Sequence, residues 1–202
     1  MKRWIVNKKI IPLAVIALIL TLTALILLPS VYTSAEAVDN CAYPPSYFVA
    51  DTGDPIEYQE DSQCSAYAAA YVLRYLGKDA NGTELYPQIK RVFGFVPPAS
   101  VAKLLKDHGC DAKAYHGDID ALKQRVAEGT PVIVFINIPH DTHYAVVTGY
   151  DENNVYLADS LPENANADEK TYNRKVGISE FEQLWKTSTL IPNNTYIAVN
   201  TK

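Results

Sequence analysis

Residues 143–159 read His143-Tyr144-Ala145-Val146-Val147-Thr148-Gly149-Tyr150, then Asp151-Glu152-Asn153-Asn154, then Val155-Tyr156-Leu157-Ala158-Asp159. Two β-branched and aromatic runs bracket four polar residues, a pattern that predicts an antiparallel hairpin. Such a hairpin folds the start of its first strand onto the end of its second, so His143 and Asp159 are expected near one another. Asp151 belongs to the turn at the far end and is too distant to serve the same imidazole.

Upstream, Gln63-Cys64-Ser65-Ala66-Tyr67-Ala68-Ala69-Ala70-Tyr71-Val72-Leu73 predicts a helix over 62–76, stopped by Gly77. Ala66, Ala69, Ala70, Leu73 and Leu76 give it a small-residue stripe that permits close packing. Cys64 opens this helix. A thiol is a good nucleophile only as thiolate, which a helix N-terminus and a neighbouring imidazolium both favour. The imidazole in turn needs a partner on its other nitrogen to fix its tautomer and direction. Each residue alone has a bland reading: a small buried hydrophobe, a strand-start histidine satisfied by a carbonyl, a turn cap. Together Cys64, His143 and Asp159 make a nucleophile, a base and an orienting acid.

Between these parts the sequence predicts a helix over 83–93 with Pro87 in its first turn. Another runs from Pro97 through His108, closed by Gly109. A short strand follows at 111–115, then a helix capped by Asp118 and closed by Gly129. Pro131–Ile138 is a continuous β-branched run, expected as a central strand. Residues 161–175 read as a polar loop, 178–185 as a short helix and 195–199 as a final strand. Helices first and an antiparallel sheet later indicate an α+β fold.

The chain has 202 residues. It opens with Lys2, Arg3, Lys8 and Lys9, followed by an almost unbroken aliphatic run over 10–28 and the small-x-small phrase Ala35-Glu36-Ala37. Residues 1–37 are therefore expected to be a cleaved export signal, with a retained N-terminal membrane anchor as the alternative. In either case the remainder is expected outside the cytoplasm, secreted or membrane-attached through residues 10–28 alone. Residues 38–57, rich in Pro, Asp and Tyr, read as an extended lead-in, and 58–202 as one domain, expected to be a monomer.

The formal charge is −5, and residues 1–37 hold four of the 18 Lys and Arg but one of the 23 Asp and Glu. The rest is thus more acidic still, which argues against nucleic acid as a partner and leaves a basic peptide open. Three cysteines in an oxidising compartment suggest a Cys41–Cys110 pair with Cys64 free, or three unpaired thiols. His140 and His143 have no clear third ligand and make a poor zinc site. His108 and His116 read as solvent-facing, and the tyrosines as packing groups.

The order of parts resembles the papain-like cysteine peptidases, and more narrowly the branch related to peptidases that remove double-glycine leaders from bacteriocins. The residues that carry it are a glutamine before a helix-starting cysteine, the phrase Glu128-Gly129-Thr130-Pro131-Val132-Ile133-Val134, the run from His143 to Asp151, the strand ending at Asp159, and Phe181 with Trp185. The resemblance implies a papain-like fold over about residues 56–200 and hydrolysis of peptide bonds in peptide or protein substrates, with no metal or organic cofactor. It also implies a glutamine that donates an amide hydrogen to the oxyanion. Gln59 is favoured, because an adjacent residue would point around the helix start, and Gln63 is the alternative. The chain departs from the family pattern at Ser65, at Ser160 and in the spacing of that glutamine. A cell-wall amidase or endopeptidase with the same triad, and an inactive binding module, are the competing readings.

Overall fold

The computed structural model describes residues 15–23, 33–36, 43–187 and 190–200. Among them, eight strands make one sheet: β1 Ser34–Ala35, β2 Tyr47–Phe48, β3 Ala112–His116, β4 Val132–Ile138, β5 Asp141–Tyr150, β6 Asn154–Ala158, β7 Arg174–Gly177 and β8 Thr195–Val199. The helices are α1 over residues 15–23, α2 Cys64–Tyr75, α3 Gly82–Leu85, α4 Pro98–Asp107, α5 Ile119–Ala127 and α6 Ile178–Leu184. The strand order is β1-β3-β8-β4-β5-β6-β7, with β2 also on β5, and every pairing is antiparallel except β1 with β3. This is the expected α+β architecture. No helix among the described residues is long and apolar enough to cross a membrane.

The continuous apolar run of β4 is explained by burial on both faces. Ile133 and Phe135 join α2 and α4 in one core, while Val132, Val134 and Ile136 join α5, α6 and Trp185 in the other. On the first face Ala66, Ala69 and Ala70 of α2 are fully buried and share a core with Tyr144 and Val146 of β5. Alanines keep the helix close to the sheet, and this brings Cys64 at the helix start to the mouth of β5. The β5–β6 hairpin pairs Val146 with Ala158, which sets the beginning of β5 beside the residues that follow β6. Its one irregularity lies between Val147 and Gly149, where β2 crosses. A Cβ at Gly149 would meet the Phe48 ring at 2.4 Å, so glycine is what lets β2 lie flat there.

Several segments differ from expectation. The helix expected over 83–93 stops early: α3 gives way to a 3-10 turn at Tyr86–Gln88, and Ile89 is extended and buried. Pinning Ile89 in the core forces the chain to turn, and Phe93 and Gly94 both adopt positive φ between the bridged Val92 and Phe95. The loop expected over 161–175 ends in a strand, β7, whose polar residues 174 and 175 hide it from a search for apolar runs. The lead-in carries β2. His108 and His116 are half-buried rather than solvent-facing, held through Nδ1 by the Leu104 carbonyl at 2.9 Å and by Thr33 Oγ1 at 2.7 Å. The Cys41–Cys110 pairing involves Cys41, which lies outside the described residues; Cys110 is buried.

Residues 33–36 fall in the segment assigned above to the leader, yet they are part of the sheet. β1 pairs with β3, the Glu36 N–H donates to the His116 carbonyl at 2.9 Å, and the Glu36 carboxylate accepts from Arg125 Nε at 3.1 Å and from the Tyr196 hydroxyl. Arg125 and Glu36 side chains are only 17% and 20% exposed, so the pair is poorly screened. A chain starting at Val38 is expected to be less stable than one starting at Thr33 by about 2 kcal/mol, because β1 is lost and Arg125, keeping Glu128, loses the less exposed of its two carboxylates while the Tyr196 hydroxyl loses its acceptor. Thermal melts of the two forms check this, and equal midpoints would refute it.

Candidate active site

Cys64 is the first residue of α2, and no side chain caps that helix start. The first-turn N–H groups there keep their partial positive charge directed at whatever lies before them. Cys64 is half-buried and lines a cavity of about 350 Å³ together with Gln59, Phe135, His143, Tyr144 and Leu161. His143 is 1% exposed, with its Nε2 2.7 Å from Asp159 Oδ1. Both His143 and Cys64 line this cavity, and Cys64 is near enough to contribute to raising the imidazole pKa. With Nε2 committed to the carboxylate, Nδ1 is the nitrogen that serves sulfur. The structure thus brings together the three residues that the sequence singled out, from a helix start, a strand start and a strand end.

Asp159 has no exposed surface, and the surrounding chain is built to keep it charged. Oδ1 accepts from His143 and from the Leu161 N–H at 2.9 Å, and Oδ2 accepts from Asn164 Nδ2 at 3.0 Å and Arg174 Nη1 at 2.9 Å. Its backbone is gripped on both sides by Asn173, whose Oδ1 accepts the Asp159 N–H and whose Nδ2 donates to the Asp159 carbonyl, each at 2.8 Å. Burial pushes the carboxyl pKa up, but the His143, Leu161 and Arg174 donors outweigh it and hold the group below its ordinary value. For His143, burial alone would favour the neutral ring. The hydrogen bond and charge of Asp159, joined by Cys64, overcome this and raise the imidazole to about 9. Asn164, Asn173 and Arg174 were not found in the sequence. An Asn-Arg pair in a polar loop carries no signal until β7 is known to pair with β6.

Of the two glutamines, Gln59 lines the cavity, and Gln63 is not among its lining residues. The Gln63 side-chain oxygen is buried without a hydrogen-bond partner, and its backbone carbonyl accepts the Ala66 and Tyr67 N–H groups. Asp151 stays at the far turn, occupied by the Asn153 and Asn154 N–H groups at 2.7 Å and by the Tyr156 hydroxyl at 2.6 Å. His140 sits exposed at φ 70° in the β4–β5 turn. Among the described residues no group of His, Cys, Asp and Glu is suited to hold a metal ion.

The cavity has an aromatic wall and an acidic rim. Phe95 packs edge-on to Phe135, and Phe135 lies against Tyr144, with ring centres 5.8 and 4.9 Å apart. Tyr144 donates its hydroxyl to the Val96 carbonyl at 2.8 Å, tying the 92–96 loop to the sheet, and burial raises its pKa so that it stays a donor. Asp61, Asp141 and Glu163 line the rim, and among the described residues neither Lys nor Arg lines the cavity.

Similar proteins share this arrangement of elements. A C39-like peptidase of known structure from Bacillus anthracis superposes with a TM-score of 0.61 at 21% identity, covering 77% of this chain and 98% of its own. A double glycine motif protease from an AMS/PCAT transporter, solved with its leader peptide, gives 0.54 at 19% identity, covering 74% of this chain and 91% of its own. Xylellain, a cysteine protease from Xylella fastidiosa, gives 0.52 at 13% identity, covering 84% and 91%. No curated protein matches the chain. These likenesses establish the papain-like fold. The pattern of the Peptidase_C39 like family matches residues 53–190, and the chain belongs to that family of cysteine peptidases.

Proposed function

We propose that the protein is an exported cysteine peptidase that cuts peptide bonds with Cys64, His143 and Asp159, assisted by Gln59. The observation that carries this reading is a thiol at a helix start that shares one cavity with an imidazole, whose Nε2 is held from behind by a fully buried carboxylate. The relative solved with its leader peptide supports a peptide as the ligand. Export rests on the basic head and apolar run of residues 1–28.

The chemistry follows from the geometry. Cys64 gives its proton to His143 Nδ1, and the sulfur attacks the scissile carbonyl carbon. The carbonyl π electrons move to oxygen, where the Gln59 amide and the Cys64 backbone N–H stabilise the charge. As the carbonyl reforms, the C–N bond breaks and the nitrogen takes the proton from His143, leaving a thioester. Water then gives a proton to His143 and its hydroxide to the acyl carbon, the C–S bond breaks as the carbonyl reforms, and the departing sulfur recovers the proton from His143. Asp159 stays ionised throughout and keeps the imidazole in line.

Cys64→Ala is expected to abolish hydrolysis of unstructured peptides. Iodoacetamide is expected to alkylate Cys64 at neutral pH much faster than free cysteine, with the advantage lost in His143→Ala. Alkylation no faster than free cysteine would favour the binding module, and cutting of peptidoglycan in place of peptides would favour the wall enzyme.

The pH dependence has a definite sign. Leaving-group protonation needs the imidazolium, which persists below about 9, so kcat/KM falls as pH rises through that value. Asp159→Asn removes the partner that raises the imidazole, so this alkaline limb moves to lower pH and kcat drops by about 100-fold or more. An unmoved limb would exclude Asp159 as the orienting acid. Among peptides, those with Lys or Arg beside the cut are expected to be preferred over acidic ones, with a preference that weakens in salt because the rim carboxylates are exposed. Equal rates at low salt would contradict the role of the rim.

A further inference from the structure

Ser160 follows the buried acid, is itself 7% exposed, and touches Gln59 twice. Its carbonyl accepts the Gln59 backbone N–H at 2.8 Å, and its hydroxyl donates to Gln59 Oε1 at 2.7 Å. We propose that Ser160 is a positioning residue that turns the Gln59 amide so that its NH₂ group, and not its oxygen, serves the oxyanion. The proposal rests on the peptidase reading of the site.

A side-chain amide has one acceptor end and one donor end, and a half-turn about its last bond exchanges them with little change in shape. Only the hydrogen bonds around it decide which end faces a ligand. An oxygen presented to a forming oxyanion would repel it, while an NH₂ group stabilises it, so the choice of face is worth the whole contribution of the donor. Gln59 lines the same cavity as Cys64. With its oxygen taken by the Ser160 hydroxyl, the end left for the cavity is the NH₂. The reverse orientation would strip the nearly buried hydroxyl hydrogen of this acceptor, which is costly. The backbone bond fixes the distance between the two residues, and the hydroxyl fixes the rotation.

The anchoring reaches further. Ser160 is joined to Asp159, whose main chain is clamped by both ends of the Asn173 amide. One dipeptide therefore indexes two parts of the machinery: Asp159 aims the base, and Ser160 aims the oxyanion donor. They act on different steps, which makes the second separable from the first by experiment.

The test compares wild type, Ser160→Ala, Ser160→Thr, Gln59→Ala and the Gln59→Ala/Ser160→Ala double variant. Three readouts are used: peptide hydrolysis, inhibition by a peptide aldehyde, and alkylation by iodoacetamide. Aldehyde addition puts charge on an oxygen at the same place as the reaction does, whereas alkylation displaces iodide from carbon and forms no oxyanion. Ser160→Ala is expected to lower kcat by about 10- to 100-fold and to weaken the aldehyde in step. KM, the alkylation rate and its pH profile should stay as in wild type. Ser160→Thr should restore hydrolysis, and Ser160→Ala should cost nothing further once Gln59 is alanine. If Ser160→Ala does not fold, the isosteric Ser160→Val and Ser160→Thr pair gives the same comparison.

Alkylation that falls together with kcat would overturn the proposal, since Ser160 would then be acting through Asp159 and His143. Unchanged kcat and aldehyde affinity, or additive losses with Gln59→Ala, would overturn it as well. A wild type that neither cuts peptides nor alkylates rapidly defeats the peptidase reading itself. A fast-alkylating, active wild type with a silent Ser160→Ala defeats only the role of Ser160.

Discussion

A carboxylate with no contact to water is the constraint around which this molecule is arranged. Moving an isolated carboxylate into a protein interior costs several kcal/mol even after relaxation, so Asp159 can remain ionised only if the fold supplies donors to both oxygens. It does so from separate pieces of chain: His143 from β5, the Leu161 N–H and Asn164 from the segment after β6, and Arg174 from β7. Each donor requires its element in register. A slip of one residue between β5 and β6 would turn the imidazole to the other face of the sheet. The site is therefore tied to the sheet's correctness, because misregistered forms would leave a charge buried without partners.

The same arrangement sets how the site titrates. Asp159 is held ionised first by His143, with the Leu161 N–H and Arg174 adding to it on the remaining acceptor sites. The raised imidazole pKa also links the site to stability. Its folded value lies above the unfolded one of about 6.5, so the charged form stabilises the native state fully below that pH. This contribution is lost as pH rises through about 9.

Much of this was legible in the chain, and the part that was not has a physical reason. That Cys64, His143 and Asp159 would come together could be read because each stands at the end of a strongly patterned element: an alanine-rich helix, a β-branched strand, and the return strand of a tight hairpin. The central position of β4 followed from its unbroken apolar run, and its burial on both faces explains that run. What escaped depends on pairing between distant, polar segments. Arg174 and Asn173 look like loop residues because β7 is an edge strand with residues 174 and 175 not fully buried, so no alternation announces it. The early end of α3 escaped because the demand for Ile89 in the core comes from tertiary packing rather than local preference. The fold role of residues 33–36 was hidden for a different reason. A small-x-small phrase after an apolar run reads as a processing signal whether or not it also pairs with β3.

The sulfur's location follows from a row of small side chains on α2. Ala66, Ala69 and Ala70 are fully buried in one core with Tyr144 and Val146 and keep α2 close to the sheet, with Val72 and Leu73 filling the rest of that core. Tyr144 packs against Phe135 on one side and donates to the Val96 carbonyl, so the sheet surface under α2 is itself rigid. A longer side chain at any of the three alanines would have to be accommodated by lifting the helix, since interiors at native density offer no free volume. Lifting moves Cys64 away from His143, which cannot follow because Nε2 is held by Asp159. The thiol–imidazole contact is thus a difference between two anchored positions, one set by helix packing and one by the buried carboxylate. Neither anchor is at the reacting atoms, and this is why the geometry can be held before any substrate arrives.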